Sequence, residues 1–193
     1  MQSNLDAKRL YELGVEEDKV SVTGNAKYDL LSAESLSESE TLIVKEGAKV
    51  ILLGSWHHDE LSILDTIHSA LPNNFQIWIA PRVIENINQF QRKIKLLNSD
   101  YCLYSENKGT LTSHRFVIID AMGVLSRLYQ NCDIAIIGGS FNNVGGHNFI
   151  EPIAFKRPVI VGPGMRNFEE DVIEFKTKNL IFQVQNEAEL MKV

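Results

Sequence analysis

The sequence predicts an α/β fold, a Rossmann-like three-layer α/β/α domain built around a parallel sheet. Three observations carry that reading. Short runs of consecutive apolar residues, KVILL at 49–53, QIWIA at 76–80, IAII at 134–137 and VIV at 159–161, have the unbroken hydrophobicity of strands buried on both faces. Segments of helical length and pattern lie between them. Several runs end in glycine or proline, at Gly54-Ser55, Pro81-Arg82, Gly138-Gly139 and Gly162-Pro163. Strands that alternate with helices in this way form βαβ units, and ligands of such sheets sit at the carboxyl ends of the strands.

Taken in order, residues 4–13 predict a helix capped by Asn4 and stopped by Gly14. A short strand is expected at 20–22, followed by the polar loop TGNAKYD. The acidic stretch 32–40 is the nearest thing to a linker, and 37–46 predict a helix. After the strand at 49–53 come a helix at 59–71, a strand at 76–80 and a helix at 84–97. Strands at 101–103 and 116–119 flank a polar excursion. A helix at 124–130 leads to the central stretch, which reads as strand 134–137, glycine loop, helix 148–155 and strand 159–161. A helix at 168–175 and a strand at 180–184 complete the pattern.

The 193 residues, 44% of them apolar, fit one domain over 1–193 with a sizeable core. The net charge of −6 and the lack of a basic stripe argue against nucleic acid as the main partner. No apolar run approaches the roughly 18 residues of a membrane span, and the amino terminus lacks the apolar core of a signal peptide. Cys102 and Cys132 have no metal-like spacing and read as free thiols of a reducing cytoplasm.

The candidate site centres on Gly138, Gly139, Ser140, Gly145, Gly146, His147 and Asn148. Glycines let a ligand reach bare backbone N–H groups, and a following helix adds partial positive charge, so an anionic, phosphate-bearing ligand is expected there. His147 is placed to donate to a phosphate oxygen. The plain alternative is a tight loop whose glycines serve turns alone. Glu151 lies one helical turn after Asn148; its carboxylate suits a vicinal diol such as ribose, or merely a first-turn position favoured by the helix dipole. Arg82 either grips phosphate or carboxylate with two bonds or makes a rim salt bridge. Ser55 and His57 lie at another strand end. The adjacent His57 and His58 point to different faces and make a poor metal pair, so no metal is expected. Met122 and Gly123 start a helix, either beside the ligand or in the core. Asn167 is expected to cap the next helix. The glycines do not have the G-x-G-x-x-G spacing of a dinucleotide site.

The segments TGNAKYD, GSWHHDE, APR, IIDAMGVLSRLY, GGSFNNVGGHNFIEP and RPVIVGP, with Asn167-Phe168 after them, occur in the order seen in 3-deoxy-D-manno-octulosonic acid (Kdo) transferases of lipopolysaccharide synthesis. The sequence resembles the carboxy-terminal half of that family's two-domain GT-B glycosyltransferase fold. One departure is Val83, where the family tends to have histidine. The resemblance implies CMP-Kdo as donor and no metal or other cofactor. It sets Met122 and Gly123 against the nucleotide, Glu151 on the ribose, and Asn25 and Lys27 near the cleft. It implies a lipid A precursor as acceptor. The general base and a membrane anchor would belong to the other half, with the whole enzyme at the cytoplasmic face of the inner membrane. On that basis the chain is expected to bind CMP or CMP-Kdo weakly and to transfer nothing by itself. The rival readings are another GT-B enzyme, such as a UDP-sugar glycosyltransferase or 2-epimerase, and a non-catalytic α/β module.

Overall fold

A computed structural model of the chain describes residues 1–24, 47–107 and 114–193. The chain forms two compact units, Met1–Ser37 and Glu38–Val193. In the first, helix α1 (Asn4–Glu12) is capped by Ser3, whose hydroxyl accepts the Asp6 N–H at 3.0 Å. Asn4, the expected cap, is instead the first helical residue, because Ser3 has the extended backbone that a cap requires. The strand expected at 20–22 is not formed. Val20 donates to the Glu17 carbonyl, and beyond it the segment meets Met1, whose amino group donates to the Ser21 carbonyl and whose carbonyl accepts from Thr23. The expected helix at 37–46, and with it Asn25 and Lys27, lie outside the described residues.

The second unit contains β1 (Lys49–Trp56), α2 (Ile63–Ala70), β2 (Phe75–Pro81), α3 (Ile87–Leu96), β3 (Tyr101–Leu103), β4 (Phe116–Ile118) and α4 (Leu125–Leu128). It continues with β5 (Ile134–Ile137), α5 (Ile150–Ala154), β6 (Val159–Val161), α6 (Glu169–Thr177), β7 (Ile181–Gln183) and α7 (Glu187–Leu190). The strands make one parallel sheet in the order β3-β4-β2-β1-β5-β6-β7, flanked by helices, as the α/β reading requires. Helices are shorter than the periodicity predicts. The segment 59–71 divides into a 3₁₀ turn at His58–Glu60 and α2. Asn148 stays outside α5 because its side-chain carbonyl accepts the Ile150 N–H at 3.0 Å, a local turn that competes with helix.

The period-2 alternation of the strands loads both faces of the sheet. Ile51, Leu53, Ile77, Ile79, Phe116, Ile118 and Ile136 pack on one side with Leu64 and Ile67 of α2 and Phe90 and Ile94 of α3. The intervening Leu52, Trp78, Val117 and Ala135 are equally buried on the other side. Burial on both faces is why these strands read as continuous apolar runs.

The chain fills the sheet from β1 through β2 towards β3 and β4, then crosses back to lay β5, β6 and β7 on the other side of β1. The switch point therefore falls between the carboxyl ends of β1 and β5, where open α/β sheets place their ligands. Here β1 carries an extra residue: Leu53 lies opposite Ile79, but Trp56 lies opposite Pro81. The bulge holds Ser55 at φ 55, a left-handed conformation that is strained for a residue with a side chain. Gly54 has no room for a side chain, since a Cβ would strike the phenolic oxygen of buried Tyr129. Gly138 likewise sits against the Ser55 carbonyl, and its N–H donates to the Gly54 carbonyl at 2.8 Å. Because the obstruction at Gly138 is backbone, Gly138→Ala is expected to cost about 1–3 kcal/mol, as overpacking does. Urea unfolding monitored by circular dichroism checks this as a lowered midpoint at unchanged slope.

Candidate functional site

Among the described residues, those singled out at the ends of β1, β2 and β5 lie at this rim, and the structure gives them more specific roles. The central expectation, bare glycine N–H groups open to a phosphate, needs correction. The N–H groups of Gly139 and Phe141 donate to the two carboxylate oxygens of Glu60, at 2.9 and 3.0 Å. Those of Gly145 and Gly146 donate to the Gly139 carbonyl, at 3.2 and 2.7 Å. Ser140 is fully buried; its hydroxyl donates to the Ile137 carbonyl and accepts from the Gly162 N–H, tying β5 to the end of β6. The four glycine N–H groups of the loop are thus already bonded within the protein, and side chains of the rim are placed to meet an incoming anion. Gly139 has a second use at φ 67: a Cβ there would lie 2.8 Å from the His147 ring, so the glycine makes space for that histidine. Asn167 does not cap α6; its amide donates to the Val144 carbonyl and braces the loop.

His57, from the loop after β1, and His147, from the loop after β5, face each other across the switch point. Their rings are parallel within 3°, with centroids 5.0 Å apart and Nε2 atoms 2.7 Å apart. One nitrogen must donate and the other accept. The pKa of His147 is lowered to about 4, first by burial and then by the charges of His57 and Arg82. At neutral pH His147 is thus uncharged, and the tautomers of the two rings set which Nε2 donates and which accepts. Arg82, exposed at the end of β2, has its backbone N–H on the Trp56 carbonyl. Among the described residues its guanidinium makes no ion pair.

A second cluster adjoins the first through Asn148. Glu151, at the start of α5, accepts from Asn148 Nδ2 at 2.9 Å and from Ser126 Oγ at 2.6 Å. Each oxygen keeps a further lone pair, so a positioned carboxylate is available for hydroxyl groups. Ser126 was not foreseen; it lies inside the segment that begins at Met122, and only the fold brings it to Glu151. Met122, 75% exposed, and Gly123, at φ 74 with open space around it, stand at the entry to α4 rather than in the core. Glu60 was missed as well. Its only sequence signal is its spacing three residues after His57, the relation of a helix cap to an acidic third residue. Among the described residues no group of three or more His, Cys, Asp or Glu could hold a metal, and no helix is long and apolar enough to cross a membrane.

The half-buried His147 has a thermodynamic signature. Its pKa is 6.5 ordinarily and about 4 in the fold, so between those values the unfolded chain binds more protons. Its contribution to stability is complete above about pH 6.5 and is withdrawn as pH falls towards 4. The difference in unfolding free energy between pH 7 and pH 4.5 is expected to be smaller in His147→Gln than in the unaltered chain, by on the order of 1–3 kcal/mol. Paired urea titrations at the two pH values measure it.

No protein-family model matches the sequence. The bifunctional glycosyltransferase/methyltransferase of Fusobacterium nucleatum is 33% identical over 199 residues, covering 100% of this chain and 31% of that protein. The 3-deoxy-D-manno-octulosonic acid transferase of Haemophilus influenzae is 34% identical over 175 residues, covering 88% of this chain and 41% of the relative. That of Chlamydophila psittaci is 31% identical over 182 residues, covering 90% and 41%. The chain thus spans about a third to two-fifths of the length of these relatives. Among solved structures, the C-terminal CMP-Kdo binding domain of WaaA from Acinetobacter baumannii superposes with a TM-score of 0.71 at 27% identity, covering 76% of this chain and 78% of that one. A glycosyltransferase from Rickettsia africae, at 21% identity and a TM-score of 0.57, shares the fold over 99% of this chain and 50% of its own. In sequence and in fold, therefore, the chain is a homologue of the Kdo transferases, matched to the C-terminal domain of a transferase of that family.

Proposed function

We propose that this chain is the donor-binding part of a Kdo transferase and holds CMP-Kdo at the β1–β5 switch point. The observation that carries the reading is the convergence there of Arg82 and the His57–His147 pair with the prepositioned carboxylate of Glu151. A sugar-acid nucleotide needs these two chemistries side by side. Its phosphate and its carboxylate call for cationic or N–H groups, and its ribose calls for an acceptor of two hydroxyl protons. Glu151 is assigned to the ribose, Met122-Gly123 to the nucleotide, and Arg82 with the histidine pair to the anionic groups.

In transfer, the bond between the Kdo anomeric carbon and the phosphate oxygen breaks, CMP departs with the electron pair, and an acceptor hydroxyl bonds to the anomeric carbon. Arg82 and the histidine pair stabilise the charge that develops on the departing phosphate, which preorganised groups do without reorganisation cost. The Arg82 cation and the N–H groups of the imidazoles stand in for a metal, so the scheme uses none. The acceptor is a lipid A precursor, and the base that takes its proton lies outside this chain, in an enzyme working at the cytoplasmic face of the inner membrane.

Isothermal titration calorimetry tests the reading. CMP is expected to bind, UMP and UDP more weakly, and added EDTA to change nothing. Arg82→Ala is expected to weaken CMP about tenfold or more, the loss of a charge-assisted contact worth about 1.5–3 kcal/mol. UDP binding more tightly than CMP favours a UDP-sugar enzyme, and absence of all nucleotide binding favours a non-catalytic module.

A further inference from the structure

Glu60 is the unusual residue of the rim. It is 1% exposed, yet it makes no ion pair among the described residues. Its carboxylate accepts three backbone N–H groups: His57 at 3.0 Å from its own loop, and Gly139 at 2.9 Å and Phe141 at 3.0 Å from the loop after β5. The two loops follow β1 and β5 and carry the two histidines that face each other. Three donors aimed at the two oxygens favour the carboxylate form. Burial raises its pKa, and the bonds from Gly139, His57 and Phe141 and the charge of His57 oppose that rise. A buried charge is a poor way to add stability, since an apolar side chain of similar volume does so at no desolvation cost.

We propose that Glu60 is a positioning residue of the donor site: it clamps the β1 and β5 loops together and thereby sets the His57–His147 pair. The clamp accounts for two of the committed donors of the loop, Gly139 and Phe141. Glu60 occupies from inside the N–H groups that an incoming phosphate would otherwise take, so the ligand's negative charge is directed to the opposite side, toward Arg82 and the imidazoles. This assignment rests on the donor-site reading for its consequence in binding, but not for its consequence in geometry.

The test uses Glu60→Gln, which keeps volume but puts an NH₂ against one set of N–H donors. His147 is faced by His57 from the β1 loop and by Arg82 from the end of β2, and burial between them keeps its pKa near 4. With the clamp loosened, its NMR-detected pKa is expected to rise by at least one unit, while far-ultraviolet circular dichroism stays native. CMP affinity is expected to fall at least tenfold. A role in stability alone lowers the melting temperature but leaves the histidine titration and the CMP affinity of the folded protein unchanged, and that result overturns the proposal. If Glu60→Gln does not fold, Glu60→Asp, one methylene short of spanning both loops, is read in the same two assays. If the unaltered chain binds no CMP, the donor-site reading fails, and the histidine titration still decides for or against Glu60.

Discussion

The seam between β1 and β5 constrains everything at the rim. These strands meet at the centre of the sheet, and their final residues approach until Gly138 touches the backbone of Ser55. The approach requires glycine on one side and a bulge on the other. Once it is made, the loops that leave the two strands diverge from a common point and carry their side chains into one crevice. His57 and His147, 90 residues apart in sequence, reach hydrogen-bond distance because their strands are neighbours. Parallel topology also places the end of β2, with Arg82, beside them. The chemistry of the site follows from strand order more than from any single loop.

Much of the fold could be read from sequence because its inner strands are buried on both faces. KVILL, QIWIA, IAII and VIV have no polar side to hide them, and each became a strand close to its expected limits. Segments that depend on a partner were harder. Residues 20–22 are β-branched enough to suggest a strand but meet single residues, Glu17 and Met1, in place of a neighbouring strand among the described residues. The cap of α1 and the start of α5 were misplaced where a side chain captured a backbone group first, as Ser3 and Asn148 do. These captures are local in distance, but the sequence does not show which of two adjacent polar residues will make them.

The site was legible as a location and less so as a set of contacts. Glycines at 138, 139, 145 and 146 correctly marked a loop where backbone lies close to other atoms. What they approach is the protein itself: Ser55, the His147 ring, Asn167 and Met165. The donors of that loop were already committed to a glutamate from a different βα junction, which no spacing within the loop reveals. Glu151 and Asn148 do meet, as the one-turn spacing suggested, although Asn148 precedes the helix, and Ser126 completes the arrangement from another element.

Gly54 and Tyr129 show what such packing does to the sequence over time. The phenol fills the volume in which any side chain at 54 would begin, and the ring is wholly enclosed. Neither position can drift alone: position 54 can gain bulk only after 129 has lost it, and a smaller residue at 129 leaves a void until 54 changes. A route between two tolerated pairs therefore passes through a less stable intermediate, and the two sites evolve as one character, although 75 residues separate them.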